Sequence, residues 1–343
     1  MADQAAHPDL RWLTRVRRAL DAWELSASPQ PTSSVFGSGA IAAAEAAFSA
    51  RHGGRPALLL PSATYALRVA LQVLGVGPGD EVLCGAVDWA SGLAAITSLG
   101  AVPVAVAMDP ETLTLDPAAA AKARTSRTRA LIACHLHGIC ADVPALRAML
   151  PGVGIIEDAA QAFGCTLDGQ LAGTLGDLAV LSLGPGKHID AGEGGVLLCA
   201  DAASCSVAVG IACHPLRHLV AGVPGALRDT LAMRPHPMTA VLALQALADW
   251  SAEPAARVQA ATRAALAGAP GLRLLGDVAR HASTTASVPV LLDAPATEPP
   301  PGIWWSPSGA QVLPCVPDED HAAAKGLLVR IRLAVLELPG DRG

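Results

Sequence analysis

The chain has 343 residues, 52% of them apolar and 16% charged, which is enough to bury a large core and unlike the composition of a disordered chain. Its 24 Lys and Arg against 30 Asp and Glu leave a formal charge of −6, which argues against nucleic acid or an anionic membrane as a partner. The opening MADQAAHPDLRWLTRVRRALD lacks a continuous apolar stretch, so no signal peptide is read there and cytoplasmic residence is the expectation.

A basic helix around Arg11, Arg15, Arg17 and Arg18 comes first, its charges read as a solvated face, followed by the polar link SASPQPTSSVFGSG. This N-terminal helix and linker is assigned to residues 1–35, with a large domain over 36–230 and a smaller C-terminal domain over 231–343. From residue 57 to 200 short apolar runs alternate with Ala/Leu-rich stretches. The strands expected are ALLL at 57–60, EVLC at 81–84, PVAV at 103–106, ALIAC at 130–134, VGIIE at 153–157 and LAVLSL at 178–183. The intervening helices fall near 64–75, 89–99, 116–124 and 142–150, several opened by Thr or Asp and closed by Gly. This order predicts an α/β fold, a largely parallel central sheet flanked by helices, with its strands covered on both faces. The uncharged run from Trp89 to Met108 is long enough to span a bilayer, but Gly92, Gly100 and Pro103 interrupt it, so a helix, a turn and a strand are expected. Beyond residue 205, 238–267 reads as one or two long helices, SVPVLL at 287–292 as strand, DAPATEPPPG as loop and 321–338 as a closing amphipathic helix. The smaller domain is therefore expected to be α+β.

Eight cysteines are scattered without a C-x-x-C pair and read as reduced, buried thiols. Cys213, His214 and His218 lack zinc-ligand spacing, so no metal is expected. Two glycine motifs fail on context. GVGPG at 75–79 follows a helix and precedes a strand, the reverse of a dinucleotide fingerprint. GPGKH at 184–188 has Leu181 where a Walker loop needs Gly, and His188 where it needs Ser or Thr.

Lysine usage carries more information. Basic residues are nearly all Arg, and only Lys122, Lys187 and Lys325 are lysines. Lys122 and Lys325 fall in Ala-rich stretches, whereas Lys187 follows a strand and precedes Gly192-Glu193-Gly194-Gly195. Lysine can lose its proton and attack a carbonyl, which arginine cannot. Asp158 stands at the carboxyl end of a strand, where open α/β sheets bind ligands. A carboxylate there serves as metal ligand, ribose acceptor or partner of a protonated pyridine nitrogen, metal being weakest because DAAQAFG adds no second acid or His. The first strand ends in Pro61-Ser62-Ala63-Thr64, small residues opening a helix and suited to cradle a phosphate.

Together SATYAL at 62–67, GPGDEV at 77–82, IIEDAAQAFG at 155–164 and GTLGDLAVLSLGPGKHIDAGEGGVLL at 173–198 resemble, in order and spacing, the DegT/StrS family of pyridoxal-phosphate-dependent sugar aminotransferases. The resemblance implies the fold type I architecture, pyridoxal 5'-phosphate as cofactor, and a homodimer with shared active sites. It also implies amino transfer from an amino acid donor to a keto sugar, cyclitol or similar intermediate of secondary metabolism. Carried over by position, Lys187 forms the Schiff base, Asp158 pairs with the pyridine nitrogen and Gln161 meets the ring hydroxyl. Ser182 with the Ala63–Thr64 turn holds the phosphate, and Trp89 stacks on the ring.

The chain departs from the family at Leu183, Gly184 and His188, in a shorter C-terminal domain, and where an Asn that reaches a phosphate across the dimer is replaced by Ala232-Met233-Arg234-Pro235-His236. Three roles stand open for Arg234 and His236: the cofactor phosphate, a substrate anion, or a turn leading into a helix. Another reaction of the same cofactor (elimination, decarboxylation or sulfur removal) and a catalytically silent sensor are the alternatives; intact Lys187, Asp158 and Gln161 weigh against the sensor. Cys315, the only thiol considered as a persulfide carrier, reads as structural.

Overall fold

The computed structural model describes residues 8–25, 33–223, 230–268, 272–276, 280–284, 288–292, 303–307, 311–312 and 331–336. Its main sheet has seven strands: β1 (Ala57–Leu60), β2 (Glu81–Gly85), β3 (Val102–Val106), β4 (Thr128–Cys134), β5 (Gly154–Asp158), β6 (Leu178–Ser182) and β7 (Gly195–Cys199). Their spatial order is β1-β7-β6-β5-β4-β2-β3. β7 runs antiparallel to both neighbours, and the remaining pairings are parallel. Six of these seven are the runs expected from sequence; β7 is the antiparallel addition that follows the lysine loop.

Alternate residues of one strand enter different cores, as the period of two requires. Ile132, Ile156, Val180 and Leu197 pack with Leu67, Ala70 and Leu71 of the helix Ala63–Val73. On the opposite face Leu131, Ala133 and Ile155 meet Val143 and Leu146 of the helix Val143–Met149, while Leu59, Leu181 and Leu198 meet Ile41, Phe48, Ala240 and Ala243. The helices start where their caps dictate. Ser62, Asp116 and Asp142 each accept an N–H from the first turn, and Pro117 follows its cap at a position where no N–H is needed.

The uncharged run from Trp89 resolves into the helix Ala90–Thr97, a turn at Gly100 and the strand β3. β3 is the sheet edge, and Val102 is exposed rather than buried. No helix among the described residues is long and apolar enough to cross a membrane.

The helices Ala40–Arg51, Ala202–Ala212 and Pro215–Ala221 have no counterpart in the sequence reading, whereas Pro237–Asp249 and Glu253–Leu266 are the expected pair. One expectation fails. Within the expected closing helix at 321–338, Ile331–Leu336 is a strand, seated antiparallel between Val288–Leu292 and Ile303–Pro307. A short apolar run is equally compatible with either state, and here two open strand edges satisfy its backbone. Residues 321–330 of that expectation, the Pro-rich stretch at 293–302 and Cys315 lie outside the described residues.

A buried clamp fixes the carboxyl end of β5. Glu157 accepts from His135 Nε2 at 2.9 Å, Gly173 N at 2.8 Å, and Leu175 N and Gly176 N at 2.7 Å each. Because His135 Nδ1 accepts the Ala141 N–H at 3.0 Å, Nε2 is the nitrogen that donates to Glu157. The same turn offers its carbonyls to Arg55, whose guanidinium donates to Gly173, Gly176, Asp177 and Cys199. Burial pushes the Glu157 carboxyl up, but the donors from His135, Gly176 and Gly173 outweigh it and hold the group below the usual range. Replacing Glu157 by Gln puts an amide NH2 against N–H donors. Glu157→Gln is expected to lower stability by about 3 kcal/mol, read as a shifted denaturant midpoint with unchanged m-value; a midpoint equal to wild type would contradict the clamp.

Candidate active site

The strand ends converge on one pocket. Its lining includes Ala63, Thr64, Trp89, Asp158, Gln161, Ser182 and Lys187, all seven of the residues expected at a cofactor site. They come from five places in the chain: the start of the helix after β1, the start of the helix after β2, the turn after β5, the end of β6 and the loop between β6 and β7.

At the first place, Ser62 has extended backbone, and its Oγ accepts the Tyr65 N–H at 3.3 Å while its carbonyl accepts Ala66 N–H. Ala63 and Thr64, first in the helix, have N–H groups with no acceptor inside it, which makes this end of the pocket an anion site. Gly195 makes the close approach possible. A Cβ there would collide with the Ser62–Ala63 peptide, so β7 can pass beside the turn only with glycine at this register, where it pairs with Leu60.

Asp158 is 5% exposed, and its Oδ1 accepts the Ala160 N–H at 3.0 Å. Burial raises its proton affinity, offset in part by that N–H and by the positive charge of Lys187. Lys187 Nζ stands 5.7 Å from the centre of the Trp89 ring. Gln161 Oε1 accepts the His137 N–H at 2.9 Å, which leaves the amide NH2 as the donor end. His137 holds that geometry from a left-handed backbone at φ 56°.

The lysine loop is tied at both ends and in its middle. Leu183 N–H bonds the Gly194 carbonyl and Ala191 N–H the Leu183 carbonyl, both at 2.9 Å. Asp190 accepts from Gly186 N at 3.0 Å and from Gly192 N at 2.9 Å. The N-terminal helix Pro8–Leu25 closes over it: Arg15 Nη1 donates to the Asp190 carbonyl at 2.8 Å, and a Cβ on Gly192, at φ 80°, would press on the Trp12 ring at 3.0 Å. Arg15 thus docks on the loop instead of belonging to a purely solvated face. His188 is turned from the pocket lining and hydrogen-bonds the Thr284 backbone; burial, then the Lys187 charge, lower its pKa.

Arg234 and His236 are exposed and do not line the pocket. His236 caps the helix Pro237–Asp249, its Nδ1 accepting the Met238 N–H at 3.1 Å. That contact is the turn leading into the helix, one of the three roles open to the pair. Sequence reading assigned nothing to Glu193, Ser91 and Cys134, which also line the pocket. Cys134 ends β4, so the strand-end rule that singled out Asp158 would have found it.

A lysine and a buried carboxylate facing across a strand-end pocket, with a helix N-terminus beside them, define a class that comparison with known proteins makes specific. Residues 33–293 match the DegT/DnrJ/EryC1/StrS aminotransferase family, and the chain belongs to that family. It is similar to the 3-amino-5-hydroxybenzoate synthase of Amycolatopsis mediterranei, at 42% identity over 159 residues, which are 46% of this chain and 41% of that protein. The L-glutamine:2-deoxy-scyllo-inosose aminotransferase of Streptoalloteichus tenebrarius is 40% identical over 153 residues, 44% of this chain and 36% of that protein. The matched segments therefore span less than half of either relative. Among solved structures, S. venezuelae DesV superposes with a TM-score of 0.75 at 26% identity, covering 99% of this chain and 93% of that one.

Burial depresses the His137 pKa from 6.5 to about 4. Its folded-state pKa lies below the unfolded value, so its contribution is complete above pH 6.5 and is lost as pH falls through about 4. His137→Asn, which tolerates the left-handed backbone, is expected to remove roughly 3 kcal/mol of that acid-side loss. Denaturation curves of both proteins between pH 7 and pH 4 test this; parallel losses would contradict it.

Proposed function

We propose that the protein is a pyridoxal-phosphate-dependent aminotransferase that moves an amino group from an amino acid donor to a keto sugar, a cyclitol or a similar keto compound. The observation that carries this reading is the pocket itself, which brings Lys187, Asp158, Gln161, Trp89 and the Ala63–Thr64 turn together from distant parts of the chain. The donor set fits the group. The helix start, left open by the missing side chain of Gly195, suits a phosphate; Asp158, buried opposite Lys187, suits a protonated ring nitrogen; and the NH2 of Gln161 suits a ring oxygen. Bound there, pyridoxal phosphate would supply an aldehyde for amine exchange and a ring that withdraws electron density from the substrate carbon.

The protein's part is then proton handling and orientation. Lys187 Nζ would be the base that takes a proton from the substrate carbon and holds it. Asp158 would hold the ring-nitrogen end of the group, its buried surroundings strengthening that pairing. Trp89 would cover the ring, and Ser182 would add a hydroxyl at the phosphate end.

The similarity to proteins named for aminating a cyclitol ketone and for making an aminobenzoate supports a cyclic keto substrate and a place in secondary metabolism. Assembly as a homodimer, in the cytoplasm, completes the reading. Val207, Leu216, Leu219 and Val220 on neighbouring helices are exposed apolar side chains of the kind an interface covers. Light scattering at micromolar concentration should give twice the chain mass; an active monomer would contradict this.

Incubation with pyridoxal phosphate followed by borohydride reduction is expected to leave the pyridoxyl label on Lys187 alone, read by peptide mass mapping. Addition of amino donors should convert the bound group to its amine form, seen in its absorbance. Label on Lys122 or Lys325, or none, would overturn the site, and a spectrum unmoved by every donor would favour the sensor.

A further inference from the structure

Directly behind the pocket lies a second acid. Asp88 is 3% exposed and ends the short strand Val87–Asp88, which pairs with Gln311–Val312. Its Oδ1 accepts the Trp89 N–H at 2.7 Å, and it also hydrogen-bonds the Gly85 backbone. The Cys134 thiol lies close to it. Cys134 sits opposite Asp158 in the register of β4 and β5, and both line the pocket. One carboxyl therefore holds the backbone of the tryptophan that stands over Lys187 and lies beside the cysteine paired in register with the pocket's acid.

We propose that Asp88 is a positioning residue of the cofactor site, fixing Trp89 over Lys187 and setting, by its own ionisation, how much negative charge lies behind Asp158. The proposal rests on the pyridoxal-phosphate reading of the pocket. Two acids buried side by side resist double ionisation. Among the described residues, the titratable groups acting on Asp88 are Asp158 and Cys134; Lys187 and His135 act on Asp158, and Lys187 on Cys134. Burial, then the Asp158 charge, push the Asp88 carboxyl up to about 7, and burial keeps the Cys134 thiol protonated. Ionisation of Asp88 therefore adds a negative charge beside Asp158 as the pH rises through neutrality. The added charge favours a protonated pyridine ring at Asp158, so the affinity for such a ring should rise as Asp88 ionises.

The probe is pyridoxamine 5'-phosphate, which cannot link to Lys187, titrated into the full-length protein by equilibrium dialysis from pH 6 to pH 8. Asp88→Asn keeps an acceptor for the Trp89 N–H and removes only the ionisation. Between those pH values the wild-type affinity should gain about fivefold relative to Asp88→Asn, with the two proteins binding alike at pH 6. Asp88→Ala, which also loses the acceptor, should bind more weakly at every pH. Parallel wild-type and Asp88→Asn profiles would overturn the proposal, as would equal weakening of Asp88→Asn across the range, which marks a purely structural acid. Infrared difference spectra of the wild-type apoprotein provide a check that needs no variant. A protonated-carboxyl band must disappear between pH 6 and pH 8, and its absence would overturn the proposal. Failure of the cofactor reading is separately visible, because wild type would then bind no probe and take no borohydride label on Lys187.

Discussion

The Glu157 carboxylate, buried and met by four donors, is the interaction on which the site depends. A carboxylate away from water is costly unless its lone pairs are filled, and here three backbone N–H groups and one imidazole fill them. The turn that supplies those N–H groups gives its carbonyls to Arg55, so both polar edges of one short segment are consumed. Asp177 adds a further tie, accepting the Ile155 N–H at 2.7 Å, and Gly176 has no room for a side chain against the Ile155 carbonyl. The end of β5 is thereby held from both sides. Asp158, next in the chain, has its backbone placed by this hydrogen-bond network, and its carboxyl is then oriented by the Ala160 N–H.

Each other element of the pocket shows a comparable division between a residue that acts and a neighbour that places it. Gln161 offers its NH2 because His137 N–H occupies its oxygen. The Ala63–Thr64 turn is open because Ser62 absorbs the next N–H groups and Gly195 yields space. Lys187 sits on a loop whose curvature is imposed by Asp190 and covered by the N-terminal helix. Positive charge at the helix start and on Lys187, and negative charge at Asp158, occupy different walls of the same pocket, which suits a ligand with a phosphate at one end and a basic nitrogen at the other.

The residues proposed to act, which the structure brings into one pocket, were legible in the sequence because chemistry restricts their type: a lysine in a chain that otherwise uses Arg, an acid at a strand end, small residues opening a helix. Six sheet strands were legible because buried parallel strands are continuous apolar runs. The placing residues were not. Glu157 is one acid beside another until its partners 16 to 22 positions away are known to converge on it. Arg15 reads as part of a basic helix face, and nothing local reveals that it reaches Asp190, 175 positions on. His236 is open in sequence to a ligand role or to a helix-leading turn, because a histidine cap and a histidine ligand look alike there. Ile331–Leu336 failed for a related reason, since the two strands that recruit it lie elsewhere in the chain.

The central claim, that strand ends held by buried polar contacts assemble one pocket for one cofactor, is tested most directly by a crystal structure of the protein grown with pyridoxal 5'-phosphate. The account predicts the phosphate on the Ala63–Thr64 N–H groups, the ring nitrogen against Asp158, the ring under Trp89, and density continuous with Lys187 Nζ. A cofactor bound elsewhere, or a pocket in which Asp158 turns away from the ring nitrogen, would contradict it.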